Sequence, residues 1–277
     1  MKLRQTAAWV GITSTALLAT TACGAEGVRR ATETVDKADT IMAALAKATD
    51  RTEKLGSAEV EMTVGTDDGT VTMEGTYSWG DGYAYDIEMD AAAAGMGELT
   101  DDPTIRALFV GGAYYYDVDP LTSGPYKGKE WLKVDGSAVF GEKGSQAVRG
   151  SGVSPVASLR GMKYAKGVED LGRERVDGRT GTHYRAPIGK EQMGRFQDAY
   201  SGEGSVLDSV TGGVDKVTMD VWVGADDLPI RLRQEMGAMT ITMDFEKFGA
   251  TAEVKAPPAG KTADVTEVLR ENLEQRG

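Results

Sequence analysis

Val60-Glu-Met-Thr-Val-Gly-Thr-Asp-Asp-Gly-Thr-Val-Thr-Met-Glu-Gly-Thr-Tyr-Ser-Trp79 is the stretch that decides the fold. Val60, Met62 and Val64 alternate with Glu61 and Thr63, so one limb has a dry face and a wet face. Asp67-Asp68-Gly69 supplies a turn. Val71, Met73, Tyr77 and Trp79 then alternate with Thr72, Glu74, Thr76 and Ser78. Period-two alternation on both sides of a turn predicts an antiparallel hairpin with one buried face.

The same pattern spreads in both directions. Gly80-Asp81-Gly82 turns the chain into a third strand, where Tyr83, Tyr85, Ile87 and Met89 alternate with Ala84, Asp86 and Glu88. Strands follow at 105–110 and 113–118 around Gly111-Gly112, and at 131–134. After a Gly/Ser-rich loop over 141–154, strands resume at 168–176 and 180–187 around Asp177-Gly178, a strong hairpin signal. Three more follow at 217–223, 228–235 and 239–246. Helical spacing marks 34–55, 155–164 and 191–200, with a polar loop over 201–213. In the first helix Val35, Ala38, Met42, Leu45, Thr49 and Thr52 form the stripe, widened by Ile41 and Leu55, and Gly56 ends it. The reading is α+β, with one domain over 34–264 and a charged tail over 265–277. Strands in this number close into a barrel, split into a sandwich, or are capped by helices.

Composition removes functions without supplying one. The chain has 277 residues with 40% hydrophobic, enough for a core. One Cys excludes an internal disulfide framework, and one His excludes multi-histidine metal sites. A net charge of −12 argues against a nucleic-acid partner. No cofactor fingerprint or metal-ligand spacing is present. The acidic pairs Asp67-Asp68, Asp101-Asp102 and Asp226-Asp227 lie in turns, where solvated carboxylates are ordinary.

The single Cys is informative by position. Lys2 and Arg4 precede an uncharged, largely apolar or small run over 7–19, then Thr20-Thr-Ala-Cys23-Gly24. This is the layout of a secretory signal, and the run is too short to span a membrane. The Cys after small residues is similar to the lipobox of bacterial lipoproteins, although Thr20 stands where Leu, Val or Ile is usual. The expectation is a signal peptide over 1–22, a lipid anchor on Cys23, and a short tether over 23–33. Cleavage would leave the mature chain at −14, so attachment to the extracytoplasmic side of the cell membrane falls to the acyl chains rather than to basic residues.

Four segments together resemble the LolA/LolB-like superfamily, and within it the actinobacterial lipoproteins of the LppX and LprG type. They are Cys23 with its following helix and meander; Gly172-Arg-Glu-Arg-Val-Asp-Gly-Arg-Thr-Gly-Thr-His-Tyr184; Val221-Trp-Val-Gly-Ala-Asp-Asp-Leu-Pro229 running into Arg231-Leu-Arg233; and Phe245-Glu-Lys-Phe-Gly249 with Ala256-Pro-Pro258 and Asp264. The resemblance implies a strongly curved antiparallel sheet, a half-open β-barrel, with helices over its concave face. It also implies an apolar cavity for lipid or lipidated molecules that are carried or presented in the cell envelope.

On that reading the cavity residues are Met62, Val64, Met73, Tyr77, Tyr85, Ile87 and Met89 from the first strands. From the last strands they are Met219, Val221, Leu232, Met239, Ile241, Met243 and Phe245. Methionine is over-used where a surface accepts varied apolar partners, though it also fills ordinary cores. Tyr77, Trp79, Tyr83 and Tyr85, with Tyr114 to Tyr116, suit either a pocket mouth or plain β-propensity. His183 sits in a predicted strand without a nucleophile elbow, so enzyme chemistry has no positive sign. The alternative function is a ligand-free accessory or sensor lipoprotein that acts through an envelope protein partner.

Overall fold

Among the described residues, a single sheet holds twelve strands, in the order β12-β6-β5-β4-β3-β2-β1-β11-β10-β9-β8-β7. The computed structural model describes residues 22–139, 155–162, 165–189, 191–192, 214, 216–249 and 251–275. The helix expected at 191–200 and the loops expected at 141–154 and 201–213 fall largely outside them, as do the first 21 residues of the expected signal peptide.

The first meander is β1 (Ser57–Thr66), β2 (Gly69–Ser78), β3 (Ala84–Asp90), β4 (Thr104–Val110), β5 (Ala113–Asp117) and β6 (Trp131–Asp135). The second is β7 (Glu169–Val176), β8 (Arg179–Gly189), β9 (Lys216–Gly224), β10 (Pro229–Met236) and β11 (Met239–Phe248). Every pairing among them is antiparallel, as the alternation predicts. Asp177 and Gly178 both take positive φ (47° and 79°), as a two-residue hairpin turn of right-handed twist requires. The seam between the meanders is β1 against β11, in register from Ala58↔Phe248 to Gly65↔Thr240 with a bulge at Glu59/Val60. The sheet is curved and does not close.

The chain divides into two compact units, 1–40 and 41–277. The described part of the first unit is helical: α1 runs Ala22–Leu55, so helix replaces the tether expected over 23–33. That segment holds Val28, Arg29, Arg30 and Ala31, which are no worse as helix formers than the residues after them. Ala38 is exposed.

In the second unit the α1 stripe is Ile41, Leu45, Ala48 and Thr52, buried at four- and three-residue steps against the apolar face of the sheet. Met42 is half-buried, and Leu55 is exposed rather than part of the stripe. The buried hydroxyls of Thr49 and Thr52 donate to the carbonyls of Leu45 (2.8 Å) and Ala48 (2.7 Å), so neither is left unpaired. Gly56 ends the helix at φ 73°. Its carbonyl accepts from the backbone N–H of Trp79 (2.8 Å), while Trp79 Nε1 donates to the Thr52 carbonyl (3.1 Å). The end of β2 thus satisfies one of the last carbonyls of α1, that of Thr52, and the carbonyl of Gly56 just beyond it.

The second cover is α2 (Pro155–Met162), which buries Val156, Ala157, Leu159 and Met162. Gln234 Nε2 on β10 donates to Ser158 Oγ at 2.5 Å, a buried polar link between sheet and helix.

Two C-terminal elements add to the edge. β12 (Thr262–Asp264) pairs with β6 in parallel, and α3 (Thr266–Glu274) is a helix within the charged amphipathic tail read over 265–277. Val265 N–H donates to the Lys133 carbonyl (3.0 Å), Thr266 Oγ1 accepts from Asp135 N–H (3.0 Å), and Arg270 donates to Ser137 Oγ (2.8 Å).

Candidate ligand-binding face

Register brings all fourteen expected cavity residues onto one face. A methionine ladder crosses four strands: Met89 lies opposite Met73, Met73 opposite Met62, and Met62 opposite Met243. Leu232 and Val221 continue this row. Next to it, Val71, Val64 and Ile241 are mutually opposite. On the other side of the ladder run Ile87, Gly75, Val60 and Phe245.

Coverage along this face is uneven. Tyr77, Ile87, Met89, Met219, Val221, Leu232, Met243 and Phe245 are buried, packed in one cluster with the α1 and α2 stripes. Met62, Val64, Met73, Tyr85, Met239 and Ile241 are only half-buried. Most of the second group share the end of the sheet that carries the β1–β2 turn. Val71, which the sequence reading left out of the cavity set, belongs with them. Its signal was available, since it pairs with Val64 across a two-residue turn.

Among the described residues, two of the clefts lie beside the core. One lies between α1 and α2, with a volume of about 290 Å³, near the small end of ligand pockets at about 300–1,000 Å³. Met42, Leu45 and Leu159 give it an apolar lining, and Asp50, Glu53 and Arg160 a charged one. Arg160 pairs with Glu53 across it. None of these residues was assigned from sequence. The other cleft, about 500 Å³, lies on the acidic side of the sheet between Glu59, Glu61, Glu74, Glu88 and Glu246. Cross-strand ion pairs border it, Arg106 with Asp86 (2.6 Å) and Lys247 with Glu59 (2.9 Å). Among the described residues no cluster of His, Cys, Asp and Glu has metal-binding geometry.

His183 lies on the opposite face from the methionine ladder. Nε2 is 2.6 Å from Asp220 Oδ1, and Asp220 also accepts from Arg185 Nε at 2.8 Å. Nδ1 is 3.2 Å from Glu174 Oε1, an ionic approach without hydrogen-bond alignment. The ring stacks on Trp222 at 4.0 Å, and Trp222 Nε1 donates to Glu174 Oε2 at 2.8 Å. Asp220 is 1% exposed and His183 4%, so the pair is closed to solvent in this structure. The Trp222 hydrogen bond, then the approach of His183, hold the Glu174 carboxyl below its usual range. Its contribution to stability is therefore full above the ordinary carboxylate range and is lost as pH falls through the lowered value. Two of the quoted segments, 172–184 and 221–229, meet here, so their shared work is to lock β7, β8 and β9 together.

These segments and the unclosed sheet can be set beside known proteins. No family model matches the chain. The crystal structure of the lipoprotein LppX from Mycobacterium tuberculosis superposes with a TM-score of 0.51 at 15% identity, covering 78% of this chain and 99% of that one. The chain has the LppX fold. Two curated Streptomyces proteins are related along most of their length. One, from S. griseus, is an uncharacterized 31.2 kDa protein encoded between rplA and rplJ, 25% identical over 266 residues, covering 86% of this chain and 83% of that one. The other is SCO4650 of S. coelicolor, whose name proposes a lipoprotein; it is 24% identical over 238 residues, covering 82% and 75%. In the LppX-type fold described here, the face under α1 and α2 is the apolar one. The wet face is laced with ion pairs.

Proposed function

We propose that this chain is an envelope lipoprotein that holds a lipid or lipidated molecule against the apolar face of its sheet, for transport or presentation. One observation carries the reading: Met62, Val64, Val71, Met73, Met239 and Ile241 form a contiguous apolar patch that is only half-buried. A contiguous apolar patch left partly open supports an interaction site rather than a finished core. Flexible methionines let it accept chains of varied shape. Each CH₂ buried there contributes about 0.8 kcal/mol, so a long acyl chain binds without specific polar contacts. The LppX fold and the name of SCO4650 support the same reading. The lipobox-like Thr20-Thr-Ala-Cys23 supports a lipid anchor on Cys23, on the extracytoplasmic side of the cell membrane. Among the described residues no helix is long and apolar enough to cross a membrane.

The Cys23→Ala form tests both parts. Expressed in a host that processes lipoproteins, the unsubstituted chain is expected in the membrane fraction and the Cys23→Ala form in the soluble fraction. Equal partition would exclude the anchor. After delipidation, the soluble form is expected to bind N-phenyl-1-naphthylamine, a neutral fluorescent probe, and to release it to dioleoylglycerol. Met73→Glu places a carboxylate in the patch and is expected to weaken probe binding about tenfold or more, since an unpaired charge is poorly tolerated there. Absence of probe uptake by the delipidated protein contradicts the proposal.

A further inference from the structure

Among the described residues, the apolar face contains one buried polar atom without a hydrogen-bond partner. Tyr77 is 0% exposed, and its hydroxyl has no hydrogen-bond partner. An orphaned buried hydroxyl costs about 1–3 kcal/mol, and native structures leave few of them. This one belongs to a tyrosine cluster built by register. Tyr77 is opposite Tyr85, Tyr85 opposite Phe109, and Phe109 opposite Tyr114. Ring centroids are 5.8 Å apart for Tyr77–Tyr85, 6.1 Å for Tyr83–Tyr85 and 6.4 Å for Tyr85–Tyr114. Tyr85, Tyr114 and Tyr116 are half-buried, so the cluster runs from the sealed Tyr77 across β3 and β4 to partly open rings on β5, at the end of the sheet away from the β1–β2 turn. Tyr85 stands beside Tyr77 on that path.

The electrostatics of the cluster select a class of partner. Burial first, and neighbouring phenols second, push the Tyr83 and Tyr85 hydroxyls well above the ordinary tyrosine range. Burial does the same to Tyr77. These phenols stay neutral, and each retains a proton to donate. Among the described residues, the groups whose charge is felt at Tyr83 and Tyr85 are other tyrosines, with no Lys or Arg among them. An anionic headgroup placed here would be a buried charge without a counter-ion, which is strongly unfavourable. A neutral acceptor has no such cost.

We propose that the Tyr77 hydroxyl donates a hydrogen bond to a neutral carbonyl of the bound lipid, an acyl ester, and that the tyrosine cluster is the polar end of the apolar site. This rests on the lipid-binding reading above and names the ligand chemistry within it. The site therefore prefers ester-linked, uncharged lipids over ether-linked or anionic ones with the same chains.

The test is displacement of N-phenyl-1-naphthylamine from delipidated Cys23→Ala protein by dioleoylglycerol and by its dialkyl ether analogue. The ester is expected to bind about tenfold more tightly than the ether, the scale of one hydrogen bond that also relieves an orphaned donor. Tyr77→Phe is expected to bind the ester as weakly as the ether, with ether binding unchanged. Without ligand, Tyr77→Phe is expected to resist urea at least as well as the parent, because the group removed had no partner. Equal binding of ester and ether by the parent overturns this inference and leaves lipid binding standing. An equal loss for both ligands in Tyr77→Phe also overturns it, by showing a packing role. A marked loss of urea resistance does the same, by revealing a partner within the protein. If neither lipid displaces the probe and the probe itself does not bind, lipid binding fails and this inference falls with it.

Discussion

Gly75→Ala is expected to be among the most destabilising single-methyl additions in this chain, costing about 4 kcal/mol or more. Gly75 has φ 149°, a region that side chains rarely enter. A Cβ built there would lie 2.2 Å from the Asp86 carbonyl oxygen and 2.9 Å from Ile87 Cα. Both are backbone atoms of β3, so the clash cannot be relieved by a side-chain rotation. β2 and β3 would have to part in the middle of the sheet, in the row that carries Val60 and Phe245. Gly69 separates the two components of the cost. Its φ is 147°, yet a Cβ there would meet nothing within 4 Å. Gly69→Ala therefore carries the backbone cost alone, about 1–3 kcal/mol. Urea unfolding followed by circular dichroism is expected to separate the two variants by about 2 kcal/mol or more. Equal losses would show that the strands do not approach this closely at Gly75.

Asp220→Ala is expected to cost about 3 kcal/mol, because it removes the acceptor shared by two cationic or potentially cationic groups in a buried setting. His183 Nε2 (2.6 Å) and Arg185 Nε (2.8 Å) would both lose their partner. The His183 ring cannot turn to solvent, since Trp222 stacks on it at 4.0 Å. Asp220→Asn keeps the shape and one acceptor, so a smaller loss is expected. Urea midpoints at neutral pH measure both. The cluster lies on the wet face, so Asp220→Ala is also expected to bind the fluorescent probe with unchanged affinity while folded. A loss below about 1 kcal/mol would remove the cluster from the forces holding β7, β8 and β9. A change in probe affinity would connect it to the ligand face.

Local signals in the sequence carried most of the fold. Alternation through Val60-Glu-Met-Thr-Val64 and its counterparts located eleven strands to within a few residues, because a half-buried antiparallel strand writes its two faces directly into period two. Three features were not legible, each for a physical reason. β12 is Thr262-Ala-Asp264, too short to display a period. The β1–β11 seam joins residues about 180 apart, and no local pattern encodes which strand edges meet. Helix over 22–33 was hidden because Gly24, Gly27 and the polar neighbours lower propensity without forbidding helix.

The site was legible to a similar degree. Choosing the apolar phase of each strand put fourteen residues on one face, since a strand has only two faces to choose from. Alternation could not separate the sealed members, such as Met219 and Leu232, from the half-open ones, such as Met62 and Met73. That depends on where α1 and α2 lie. The orphaned Tyr77 hydroxyl was equally invisible, because pairing is a property of neighbours in space. His183 was read as a strand histidine, and its partners Asp220 and Trp222 were missed. They sit on the wet phase of β9, where a buried polar pair leaves no mark in the sequence.

A lipid held on the half-open apolar face is expected to survive purification without detergent. Native mass spectrometry of the Cys23→Ala protein, purified from a membrane-containing host without detergent, tests it most directly. The expected result is a species heavier than the polypeptide by the mass of a neutral, acyl-containing molecule, depleted in Met73→Glu. A polypeptide free of adduct in both forms, which also fails to take up dioleoylglycerol from vesicles, would contradict it.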